Sequence, residues 1–244
     1  IAASAVLIFS YFICIIAAGY VSEIGNDAVA YIFLAVMLLF VLSPLFLGLV
    51  RFFRRFIFGA DDKPVIIFYY FSDRQKYSRA MHLTFALALR AAGFGILLFL
   101  PSAIVDLFSG VRVYDMLNIP IPMWTANLYY VSVFLKTIAV VALIFIMARY
   151  YLAVFLTAAD EKMDIAEAVH MSCIIARSTM LDFISLVFSF FGWLIISVIV
   201  FPLIFTVPYF LTAFCVHSRF AVAEYNKKIE RLNQSGYPTF AAGL

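Results

Sequence analysis

Long apolar runs separated by short polar stretches dominate the chain, and their lengths set the first expectation. A helix rising about 1.5 Å per residue needs about 20 mostly apolar residues to cross a hydrocarbon core. Six stretches meet that requirement: residues 1–20, 28–50, 80–107, 128–156, 182–201 and 203–222. The last two share one apolar run, too long for a single crossing, which suits two helices joined by a tight turn near Pro202. One crossing plus a re-entrant segment is the alternative. Pro44 and Pro208 predict kinks, because proline withholds the amide that would donate to the carbonyl four residues back. The pattern predicts an all-α fold, a polytopic membrane helix bundle of six transmembrane helices forming one integral-membrane domain. The first run is longer than the apolar core of a leader and lacks a small-residue cleavage site, so it reads as a retained span. The chain opens on Ile1 rather than Met and is expected to lack its natural start.

Two polar-flanked segments read as helices lying in the headgroup region. Residues 63–79, KPVIIFYYFSDRQKYSR, mix aromatics with Arg74, Lys76 and Arg79. Such a mixture can attract anionic lipid, although it can equally do no more than flank the third span. Residues 161–178 contain DIAEAVHMSCIIARS, where Asp164 and Glu167 are spaced as a capping box. In this stretch Met163, Ala166, Val169, Cys173 and Ile174 predict one apolar face.

Charge sets the orientation. Basic residues are retained on the cytoplasmic side. Arg51, Arg54, Arg55, Lys63, Arg74, Lys76 and Arg79 lie in the 51–79 loop; the 149–180 connection holds Arg149, Lys162 and Arg177; the tail holds Arg219, Lys227, Lys228 and Arg231. The opposite side has only Arg112. Both termini are therefore predicted to be cytoplasmic, with a multi-pass chain in a plasma membrane. Trp124, Tyr129 and Tyr130 suit the outer headgroup level, and Tyr150 and Tyr151 the inner one.

Composition agrees: 66% of residues are hydrophobic and 13% charged, far from the balance of a soluble domain. A net charge of +3 is too small to imply nucleic acid. Cys14, Cys173 and Cys215 are widely separated, with no metal or disulfide spacing. No phosphate loop, zinc-protease helix, Cys-x-x-Cys or nucleophile elbow occurs, so neither a catalytic site nor a cofactor is expected. Lone serines such as Ser43, Ser185 and Ser189 read as helix-packing residues. His82, His170 and His217 all fall towards the inner face, but no pair has ligand spacing on a helix, and interfacial polar residues are the ordinary reading. Asp160, Glu161, Asp164 and Glu167 read as a solvated acidic patch.

Arg90 and Lys136 are charges set well inside spans. Arg90 lies about 15 Å into the third span, near the bilayer centre, where a charge costs a few kcal/mol. Lys136 lies inside the fourth and can snorkel outwards. No carboxylate shares the depth of Arg90; Asp106 is at the outer end of its span and Asp182 at the inner end of the fifth. Arg90 is left to bond backbone carbonyls, to line a wet cavity, to hold an anion with its guanidinium, or to meet another subunit. A cavity shared with Lys136 would be positive.

Several stretches resemble an uncharacterised bacterial integral-membrane family, the domain of unknown function 975. They are SPLFLGLVRFF from Ser43, IIFYYFSDRQKYSRAM, LRAAGFGILLFLPSAIV, AEAVHMS and, most specifically, LVFSFFGWLIISVIVFPLIFTVPYFLTAF with Ser189, Gly192, Trp193 and Pro208-Tyr209. Two places depart from the family pattern: VIVFPL stands where a glycine-rich turn is usual, and the outer loop after Pro101 is expanded. The resemblance implies a six-helix bacterial membrane bundle and no particular activity.

Two functional expectations follow. The first is a non-enzymatic, transport-type protein that handles lipid, another amphiphile or an anion, with Arg90 and Lys136 as ligand-binding candidates. Arg51, Arg54, Arg55, Arg74, Lys76 and Arg79 would supply a basic membrane surface for anionic lipids. The second is an accessory or structural subunit whose residues 161–178 dock a cytoplasmic protein partner.

Overall fold

The structure, a computed structural model, describes residues 2–24, 27–59, 63–109, 125–196 and 200–234. Every regular element among the described residues is helical. Helix α1 spans Ala2–Ile24 and α2 Asp27–Met37, the Ser22 hydroxyl donating to the Asp27 carboxylate at 2.5 Å across the connection. A π-helical turn, Leu38–Leu42, leads into α3, Ser43–Ile57. A 3-10 helix, Pro64–Phe71, precedes α4, Arg74–Ser109, which contains Pro101. Then come α5, Thr125–Met147, a 3-10 turn, Ala148–Tyr150, and α6, Tyr151–Ala159. The chain ends through α7, Ile165–Ser189, the short α8, Phe191–Ile196, and α9, Val200–Gln234.

Five helical stretches among the described residues are long and apolar enough to cross a membrane: Ala3–Glu23, Asp27–Ile57, Arg74–Phe108, Asn127–Ala159 and Ile165–Trp193. The outer loop with Arg112 and Trp124, residues 25–26 at the centre of the first polar turn, residues 60–62 and 197–199, and the tail after 234 lie outside the described residues, while Pro202, where a turn is expected, falls inside α9.

Local sequence explains the interruptions. Pro44 has no amide proton for the Phe40 carbonyl, and the chain widens into a π turn before it, with the Ser43 amide reaching Leu38. The Tyr77 hydroxyl donates to the Phe40 carbonyl at 3.0 Å. The expected bend at Pro44 is thus a change of helix type centred just ahead of it.

Two expected boundaries move. Residues 74–79 are not part of a separate interfacial helix; they begin α4, after a break at Ser72 and Asp73. Residues 165–178 are likewise continuous with the start of the fifth span in α7. The Asp164 carboxylate caps α7 by accepting from the Ala166 amide at 3.3 Å.

The chain divides into two compact units, residues 1–84 with 149–244, and residues 85–148. In the first, α3 packs against the 3-10 helix, α6, α9 and α1, and α7 packs against α6 and α9. The inward face of α7 is Ala168, Val169, Ser172, Ile175, Ala176 and Thr179. That face is rotated from the one expected, since only Val169 belongs to both. Small residues allow close helix approach, and large apolar ones can face lipid. Ser172 donates to the Arg149 carbonyl at 2.9 Å, and the hydroxyls of Ser43 and Thr84 meet between α3 and α4.

Candidate functional site

Charged and aromatic side chains gather where α3, the 3-10 helix, the start of α4 and the α6–α7 connection meet in the first unit. Gly48 makes the meeting possible. A β-carbon there would fall on the Ile67 carbonyl and lie 2.8 Å from its carbon atom. At three residues per turn, a 3-10 helix aligns every third side chain. Ile67 and Tyr70 therefore share the buried side, while Val65, Phe68 and Phe71 form an exposed stripe. Tyr69 falls between, and two cations lie over its ring: the Arg51 guanidinium carbon at 3.8 Å and Lys76 Nζ at 4.1 Å.

Arg51 also pairs with Glu161, its side chain 8% exposed and that of the glutamate 55%. Arg51 is thus a core residue, where the sequence had placed a membrane-surface one, and Glu161 is the counter-ion that permits its burial. The acidic patch is in this respect a partner to buried charge as well as a solvated face. Arg79 donates to the backbone carbonyls of Asp160 and Met163 at 2.6 and 2.7 Å, which ties α4 to the connection. Tyr69, Tyr70, Lys76, Arg79, Glu161 and Thr157 contribute to the lining of a cavity of about 310 Å³. Thr157 is 1% exposed, and its Oγ1 has no hydrogen-bond partner among the described residues. Hydrogen bonds from Tyr69 and Arg51 hold the Glu161 carboxyl below its ordinary range, and burial pushes the phenols of Tyr69 and Tyr70 up. Glu161 is therefore ionised and both tyrosines neutral around pH 7. Among the other expected surface bases, Arg74 is exposed, and Arg54, Arg55, Lys76 and Arg79 are half-buried.

The second unit holds both intramembrane cations. Arg90 donates from Nη1 to the Ala86 carbonyl at 2.9 Å, one turn earlier on its own helix. Lys136 Nζ lies 2.7 Å from the Asp106 carboxylate, which also accepts from Ser132, one turn before Lys136 on α5. Sixteen positions separate Arg90 from Asp106, about 24 Å along α4 at the helical rise. The lysine charge is thus offset at the far end of the helix from Arg90.

A polar cluster escaped sequence reading. Tyr151, expected at the headgroups, is buried, stacked on Phe183 at 3.9 Å. Its hydroxyl meets Thr179 Oγ1 and His217 Nε2, each at 3.1 Å. These residues come from α6, α7 and α9, and nothing in the local pattern marked them as neighbours. Among the described residues no three His, Cys, Asp or Glu side chains are grouped to hold a metal ion.

Compared with known proteins, the chain matches no family model, no curated protein and no solved structure.

Proposed function

We propose that this chain is a six-span protein of the bacterial plasma membrane, with both termini cytoplasmic, that binds anionic lipid at the basic, aromatic end of its first unit. The observation that carries this reading is the exposed stripe of Val65, Phe68 and Phe71 beside Arg74 and Lys76. The apolar stripe suits the acyl boundary, and the cations suit lipid phosphates, each contributing about 1 kcal/mol near an anionic surface. Continuity of α9 supports a sixth crossing, and the resemblance to the domain of unknown function 975 family agrees with it. The accessory-subunit reading draws less support, because the inward face of residues 165–178 already packs within the first unit.

The test is native mass spectrometry of protein released from nanodiscs of equal phosphatidylglycerol and phosphatidylcholine. Wild type should retain phosphatidylglycerol preferentially. The Arg74→Gln/Lys76→Gln variant should lose much of that preference while keeping its melting temperature. Equal retention of both lipids by wild type would end this proposal.

A further inference from the structure

Arg54 differs from its neighbours in what it touches. Arg51 has a carboxylate and Arg79 has two carbonyls. Arg54 has no ion pair or side-chain hydrogen bond among the described residues; its Nε, like those of Arg51 and Arg79, is buried without a partner among them. It also sits in the repulsive field of Arg51 and Arg55. From α9, Arg219 lies over the Phe58 ring at 4.1 Å, exposed and likewise without an ion pair among the described residues.

Both arginines line one cavity of about 490 Å³. Phe58, Phe155, Val222 and two alanines give it apolar walls, and Asn226 adds an amide. None of the eight lining residues is acidic. Arg54 is half-buried in the field of two further arginines and Arg219 is an exposed cation on the same cavity, and an anion placed there would offset the cost of the buried charge and pair with the exposed one. Guanidinium groups present paired N–H donors that match the spacing of phosphate oxygens. The apolar walls offer a surface for an attached hydrocarbon chain.

We propose that this cavity between α3, α6 and α9 is a discrete site for a phosphate-bearing anion, with Arg54 and Arg219 binding the phosphoryl oxygens and Phe58 and Phe155 flanking the attached group. The proposal deepens the lipid-binding reading by giving the headgroup a built site apart from the surface of Arg74 and Lys76. A phospholipid headgroup and a free phosphate share the required chemistry.

Two arms test it on the full chain. The first measures phosphatidylglycerol retained from the mixed nanodiscs. The second measures the thermal shift on adding inorganic phosphate in neutral detergent. The exposed Arg219→Gln should lower the tightest occupancy about 10-fold, as expected for a lost charge-assisted contact, and Arg54→Gln should act alike. Lys227→Gln, an equal charge loss elsewhere on α9, should leave it unchanged. A response in the lipid arm alone identifies the headgroup as ligand, and a response in the phosphate arm alone identifies the free anion. Wild-type behaviour of Arg219→Gln in both arms, or an equal loss in Lys227→Gln, overturns the site, whether or not Arg54→Gln folds. If retention falls only in Arg74→Gln/Lys76→Gln and the phosphate shift of Arg219→Gln matches wild type, this site fails and surface binding stands; if retention falls only in Arg219→Gln, the reverse holds.

Discussion

At the residue scale, the pairing of Arg51 with Glu161 is asymmetric, and the asymmetry is measurable. Losing Glu161 leaves a guanidinium in a buried place without its counter-ion, whereas losing Arg51 leaves a carboxylate that water can solvate. Glu161→Gln should therefore destabilise more than the volume-preserving Arg51→Met. The cost should be about 1–3 kcal/mol, below that of a fully buried pair because the carboxylate is half exposed. Denaturant unfolding of both variants and the double variant checks this, and the double should recover part of the loss. The pH dependence has a definite sign. The Glu161 carboxyl is held below its ordinary value of 4.5, so its stabilisation is present at neutral pH and is lost as pH falls through the folded value. Melting temperature should drop on acidification below about pH 4.5 more steeply in wild type than in Glu161→Gln. Gly48 offers a second contrast. Gly48→Ala drives a methyl into backbone at Ile67 and should cost about 1–3 kcal/mol or more, whereas Gly93→Ala meets nothing within 4 Å and should change stability little. None of this was legible beforehand. Arg51 and Glu161 lie in different segments, and their pairing is a product of packing, not of spacing.

At the element scale, the sequence was informative where the cause is local and uninformative where it is tertiary. Pro44 announces its own interruption, because a missing amide is a property of one residue. The Asp164 cap was readable for the same reason. The buried face of α7 differs from the periodic expectation, which takes apolar to mean inward. Beside lipid that rule weakens: Ala168, Ser172, Ala176 and Thr179 turn inward for close packing, while Leu181 and Phe188 are exposed. The π turn yields a prediction at this scale. Tyr77 supplies a donor to the Phe40 carbonyl, the same carbonyl that an alanine at position 44 would reach with its amide. Tyr77→Phe should therefore cost about 1 kcal/mol in wild type and clearly less beside Pro44→Ala. A double-mutant cycle by chemical unfolding measures the coupling. Independent effects would mean that the hydroxyl and the missing amide are unrelated.

At the scale of the whole molecule, what remains is topology. Within the first unit, Arg51 with Glu161, and Arg79 with the carbonyls of Asp160 and Met163, join the end of α3, the start of α4 and the α6–α7 connection at one end. Those are the segments that the distribution of lysine and arginine assigns to one side of the membrane, and packing and charge retention act independently. Side-chain contact does not know about translocation, and retention of basic loops does not know about packing. Their agreement makes a definite expectation for labelling in intact cells. In a Cys173→Ala background, which leaves the buried Cys14 and Cys215, single cysteines at Gln75, Lys162 and Lys228 should react only after the membrane is made permeable. Cysteines at Glu23 and Asn127 should react with an impermeant reagent from outside. The Lys228 position decides most, because it reports whether the chain crosses once more after α7. Protection there along with Gln75 and Lys162 requires an even number of crossings between α4 and the tail, and hence a sixth span through α9. Exposure at Lys228 alone would instead reduce the final apolar run to one crossing plus a re-entrant segment, and would move Arg219 and its cavity away from the cytoplasmic side that the lipid-binding reading requires.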